Sequence, residues 1–273
     1  MACSPSSKEY EPAQARAAVY GLIAHGFQYP DAETVSTLVA PERWENWPGA
    51  LHNADKNTRA SLQFFRDAAR AFSDASEEAH RELRQRYDSL FGHAVHGRCP
   101  AYEMEYGRNE IIRQASDLAD LAGFYGAFGL EVANDGNGRP DHITAECEFM
   151  SAVCSREAHA HIRGDKTNAD ICLDAERTFL RDHLARWLPS LAHRLKAADP
   201  DGLFGALARF ADAFVTAECS YFDIHAGPPT LELRSPDPVL DRAISCGPVG
   251  CGEDRSDEQF VQLGLGMERG KKR

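Results

Sequence analysis

A chain of 273 residues with 43% hydrophobic and 26% charged side chains has enough apolar mass for a core and enough charge to stay dispersed. That balance excludes wholesale disorder, a collagen-like repeat and a membrane-spanning architecture, so no membrane insertion is expected. Thirty Lys and Arg against 42 Asp and Glu leave a formal net charge of -12, which repels nucleic-acid backbones and attracts cationic segments.

The first residues, Met-Ala-Cys-Ser-Pro-Ser-Ser-Lys, lack the basic start and apolar run of a secretory signal, so a cytoplasmic location is expected. Residues 11–28 carry Val19, Leu22, Ile23 and Phe27 at helical spacing, and Tyr29-Pro30-Asp31 ends that stripe. A weaker helix is predicted over 31–40, and 41–57, broken by Pro48 and Gly49, reads as a loop. Leu62, Phe65, Ala69 and Phe72 mark a buried helical face over 58–72. Ser76 followed by Glu77 and Glu78 is a helix start, with a capping hydroxyl and two acids at the positive end of the dipole. Its stripe is Ala79, Leu83, Tyr87, Leu90 and Phe91, and 92–100 is a loop. Helical spacing returns over 105–129, followed by the polar connection 134–140, a possible hinge. Asp141 stands where a cap would open a helix running to about Ile162.

Leu173, Leu180, Leu184, Trp187 and Leu191 predict a helix over 169–196 that Pro189 must kink or interrupt. Asp199-Pro200 is a helix start, with Leu203, Leu207, Phe210 and Phe214 facing inward as far as Tyr221. The expectation is therefore an all-α, single globular multi-helix bundle over 10–225, with a Gly/Pro-rich irregular tail over 226–273.

The chain carries no G-x-S-x-G, P-loop, G-x-G-x-x-G after a strand, or H-E-x-x-H, and this points away from an enzyme. The eight cysteines are too scattered for a disulfide scaffold and are expected to be mostly reduced, buried thiols. His93, His96 and Cys99, or Cys246 and Cys251 in the tail, are weak metal candidates. A metal- or redox-handling protein built on the Cys246/Cys251 pair is thus one alternative, and a structural subunit of an oxidoreductase is another.

The block from Tyr87 to Val153 carries the distinctive pattern. It contains Tyr87-Asp-Ser-Leu90-Phe91-Gly92, then Cys99-Pro100-Ala-Tyr102-Glu103-Met-Glu105-Tyr106-Gly107. Arg139-Pro140-Asp141-His142-Ile143 follows, opening a stretch with Glu146, Cys147, Glu148, Phe149 and Met150. In that order and spacing these motifs resemble the TorD/DmsD/NarJ family of redox-enzyme maturation chaperones. The likeness is to the branch serving DMSO-reductase-type enzymes such as dimethyl sulfide and ethylbenzene dehydrogenases and selenate and chlorate reductases. Cys147 stands where a Leu is common, and the tail after 226 has no counterpart in the short members.

The resemblance implies a cofactor-free, all-helical chaperone. Its partners would be the immature catalytic subunit of a molybdopterin oxidoreductase and that subunit's twin-arginine signal peptide, held until the cofactor is inserted. It implies a groove from Tyr87, Leu90 and Phe91, and peptide contacts from Asp141 and His142. Tyr102, Glu103 and Glu105, with Glu146 on the following helix, complete the partner-binding set, although Tyr102, Glu103 and Glu105 equally suit the start of a solvated helix. On periodicity alone Tyr87, Leu90 and Phe91 are also core positions, and Asp141 is also a cap. Monomer and homodimer remain open alternatives.

Overall fold

The structure, a computed structural model, describes residues 7–31, 34–35, 55–72, 76–92, 97–107, 111–132 and 139–235. The described residues form α1 (Ser7–Gly26), α2 (Lys56–Arg70), α3 (Glu77–Phe91), α4 (Ile111–Ala127), α5 (Ile143–Arg163), α6 (Lys166–Phe179), α7 (Ala185–Ala198) and α8 (Leu203–Tyr221). A 3-10 turn covers Glu103–Glu105, and a π-helical turn covers Leu180–Leu184 between α6 and α7. The fold is all-α, as expected. The predicted 31–40 helix lies largely outside the described residues, as do His93, His96, Cys246, Cys251 and most of the 134–140 connection.

The apolar stripe of α1 lies against α5, with Val19, Ile23 and Phe27 fully buried. The two helices approach closely enough for side-chain hydroxyls of α5 to reach main-chain carbonyls of α1. Ser151 Oγ donates to the Ala17 carbonyl at 2.8 Å, and Thr144 Oγ1 donates to that of Ala24 at 3.2 Å. Helix α8 packs on both α2 and α7, with Phe65 and Phe210 stacked at 6.2 Å between ring centroids. Caps fix the starts of α2 and α3: Asp55 accepts from the Thr58 N–H at 2.6 Å, and Ser76 from the Ala79 N–H at 3.2 Å.

Four expectations are corrected. Residues 105–107 are not α-helical, because Glu105 ends the 3-10 turn and Tyr106 leaves it in extended conformation, bridged to Leu233. The N-cap of α5 is His142, not Asp141: the His142 Nδ1 accepts from the Thr144 N–H at 3.2 Å, while the Asp141 carboxylate is taken by Arg139. The predicted helix over 169–196 breaks at the π-helical turn, and Pro189 sits buried inside α7. Asp199 does not cap directly, since α8 begins at Leu203, but it reaches forward to accept the Phe204 N–H at 3.1 Å and pairs with Arg86.

Residues 226–235 of the expected tail are a docked strap. Proline at 189 has no N–H to offer the carbonyl of residue 185. The Gly227 N–H takes that carbonyl instead, at 2.8 Å. A Cβ at 227 would meet the Arg186 carbonyl oxygen at 2.0 Å, so only glycine permits the approach. Ser190 Oγ then donates to the Pro228 carbonyl at 2.7 Å and accepts from the Leu231 N–H at 2.9 Å.

Candidate functional site

The two halves of the motif block meet backbone to backbone. The Glu103 N–H donates to the Asp141 carbonyl at 2.8 Å, the Ile143 N–H donates to the Ala101 carbonyl at 2.9 Å, and Tyr102 and His142 face each other as an antiparallel pair. The Tyr102 ring lies edge-on to the His142 imidazole, with the Arg139 guanidinium 4.3 Å from its centroid. Tyr125 donates its phenol to the Pro140 carbonyl at 2.6 Å, which seats the entry to α5 on α4.

Four acids converge beneath this edge. Asp141, fully buried, receives the Arg139 fork at 2.8 and 2.6 Å, and the Met104 N–H at 3.2 Å. Glu105 lies 3.1 Å from the Arg234 guanidinium of the strap and 3.7 Å from Arg139. Glu103 Oε2 meets His183 Nδ1 at 3.1 Å. Its buried Oε1 makes no hydrogen bond, and the Arg186 guanidinium stands 3.7 Å away. Glu146 accepts the Trp187 indole N–H at 3.1 and 3.2 Å to its two oxygens.

The electrostatics follow from burial. Burial together with the charges of Glu103 and Asp141 raises the Glu146 carboxyl well above the usual carboxylate range, with the Trp187 indole opposing the shift. Burial also raises Glu103, which the His183 contact partly offsets. Burial opposes charge on His183, yet the carboxylates of Glu103 and Asp120 on its two nitrogens raise its pKa. Burial pushes His142 down to about 4, so its imidazole is neutral and Nδ1 is free to accept the cap hydrogen bond.

The other expected site residues sit elsewhere. Leu90 and Phe91 are only 3% and 6% exposed and belong to the core rather than to an open groove. Phe91 packs edge-on against Phe27 and Phe204, and helical spacing places Leu90 with it on the inward face of α3, within the core. Tyr87, at the edge of that cluster, is half-buried and donates its phenol to the Phe27 carbonyl at 3.2 Å. The sequence reading missed Arg139, His183, Trp187 and Arg234 as members of the cluster. A signal existed for His183, which lies among the inward-facing Leu180, Leu184 and Trp187. The described cysteines, including Cys147 and Cys154, are buried thiols. Among the described residues no group of three or more His, Cys, Asp or Glu is arranged to hold a metal ion, and no helix is long and apolar enough to cross a membrane.

Fold and site together define a helical bundle of the TorD type, whose motif residues build one buried ionic cluster beneath a short extended edge. The chain belongs to the nitrate reductase delta subunit family, whose model matches residues 52–193 and so takes in every member of the cluster except Arg234. The chain is 26% identical to the perchlorate reductase assembly chaperone protein of Dechloromonas aromatica over 215 residues, 74% of this chain and 88% of that one. It is 40% identical to the selenate reductase assembly chaperone protein of Thauera selenatis over 82 residues, 30% of this chain and 42% of the relative. It is 26% identical to the chaperone protein TorD of Vibrio cholerae serotype O1 over 141 residues, 51% of this chain and 61% of the relative.

Proposed function

We propose that this protein is an assembly chaperone for the catalytic subunit of a molybdopterin oxidoreductase. It binds the immature subunit by its twin-arginine leader in the cytoplasm and releases it once the cofactor is in place. The observation that carries this reading is the convergence of both motif segments on Glu103, Glu105 and Asp141 beneath the Tyr102–His142 edge. Relatives bearing assembly-chaperone names support the same role.

A cationic, extended leader needs main-chain partners, aromatic surface and negative charge. The edge supplies all three. Tyr102 and His142 stand half-buried at its surface, Glu103 keeps an oxygen without a hydrogen bond, and Asp120 extends the negative charge to the exposed rim. Asp141 and Glu146 position the edge from below, and Tyr87 is the member of its trio accessible to a ligand. The role calls for recognition and release, with no bond made or broken by this chain.

Calorimetric titration with a synthetic leader peptide of the client subunit tests the reading. Wild-type protein should bind, and Glu103→Gln should weaken binding about tenfold at an unchanged circular dichroism spectrum, the effect of one lost charge-assisted contact. Equal affinity in the two proteins would remove Glu103 from the site.

A further inference from the structure

The strap is itself an extended, arginine-bearing segment lying on the candidate site. The Gly107 N–H donates to the Glu232 carbonyl at 2.8 Å, the Arg234 N–H donates to the Glu105 carbonyl at 2.9 Å, and Tyr106 faces Leu233 as an antiparallel pair. Leu231 and Leu233 pack half-buried against the core. The Arg234 side chain is 6% exposed and ends on the Glu105 carboxylate, itself 2% exposed. Strand addition to a free edge uses this same set of contacts: main-chain bonds for affinity, alternate side chains for specificity.

We propose that residues 228–235 are a resident stand-in for a client segment. An extended, arginine-bearing stretch of the client takes the Glu105–Gly107 edge and the Glu105 carboxylate by displacing the strap. This rests on the leader-binding reading above and names the subsite within it. The electrostatics select the occupant. Removing one partner of a buried ion pair is strongly destabilising, and the Arg234 guanidinium lies 3.1 Å from the Glu105 carboxylate, nearer than Arg139 at 3.7 Å. Exchanging one arginine for another avoids that penalty, whereas a neutral or acidic segment incurs it. Arg234 and the strap lie beyond the family-matched residues 52–193.

The test uses the full-length protein and a fluorescent synthetic leader peptide of the client. A docked strap lowers apparent affinity by the fraction of molecules it occupies. Arg234→Gln should therefore bind the peptide about tenfold more tightly, while Arg234→Lys stays near wild type. Gly227→Ala, which loosens the strap from its other end, should shift affinity the same way and serves if Arg234→Gln does not fold. Hydrogen exchange gives an independent readout. On peptide binding the Arg234 and Leu231 amides should lose protection while the Gly107 amide keeps it, because the peptide replaces the Glu232 carbonyl. Unchanged or weaker binding by Arg234→Gln, or loss of protection at Gly107 together with Arg234, overturns the strap proposal alone. Absence of peptide binding by wild type and both strap variants overturns the leader reading and this proposal together.

Discussion

His142 caps α5 through a single ring nitrogen. Its Nδ1 accepts a hydrogen bond only while unprotonated, and its pKa is lowered to about 4 against an ordinary 6.5. A group whose folded pKa is depressed takes up protons in the unfolded chain first, so stability falls as pH drops from about 6.5 towards 4. Urea unfolding should show up to about 3 kcal/mol of loss across that window, the equivalent of the shift. His142→Asn, which caps without titrating there, should keep stability near wild type at pH 7 and lose this slope; an unaltered slope would assign it to another group. Ser76 was legible as a cap, and Asp141 was not legible as a non-cap. Arg139 stands two residues before it in the sequence, but that the guanidinium folds back onto the Asp141 carboxylate depends on the 101–106 segment that closes over both. Glu105 predicts a second effect. Glu105→Leu removes one partner of a buried ion pair and should cost about 3–5 kcal/mol in a thermal melt, whereas a loss under 1 kcal/mol would mean the pair is weakly coupled to folding.

Helical elements were readable from spacing, and what tied them together was not. Arg16 stands in an otherwise apolar stretch of α1 and meets Glu157 of α5, Glu176 of α6 and Glu218 of α8, all buried. Each lone charge lies on an inward face, a visible oddity in the sequence, but their meeting requires four helices to pack first. Three carboxylates exceed the one positive charge, and burial raises Glu218 to about 7, with Arg16 opposing and Glu157 adding to the shift. A carboxyl raised in the folded state contributes stability below its unfolded value, and that contribution is lost as pH rises through about 7. Glu218→Gln should therefore match wild type near pH 5 and exceed it at pH 8, by up to about 3 kcal/mol in chemical denaturation. Wild-type stability at both pH values would show that the cluster is relieved in another way. The strap was legible only as an irregular tail after 226 that could dock in part on the body, and where it docks was not legible. Its docking depends on a carbonyl that Pro189 leaves without a helical donor and on a glycine at 227, two residues far apart in sequence.

At the scale of the molecule, an acidic helical body holds a small ionic cluster under an edge of main chain. The order of motifs in 87–153 carried the fold and the family, while the division between edge and core did not follow from it. Leu90 and Phe91 share the spacing of core residues because they are core residues. Long-range attraction between a -12 body and a basic leader should also weaken as salt rises from 50 to 500 mM, a dependence that an apolar groove alone would not give. The most direct measurement is capture of the client catalytic subunit by the full-length chaperone, made once with cofactor-free subunit and once with subunit fully loaded with molybdopterin. The expected result is a stoichiometric complex with the empty subunit, abolished by adding excess leader peptide, and no complex with the loaded one. Equal capture of both forms, or capture indifferent to the leader, would contradict it.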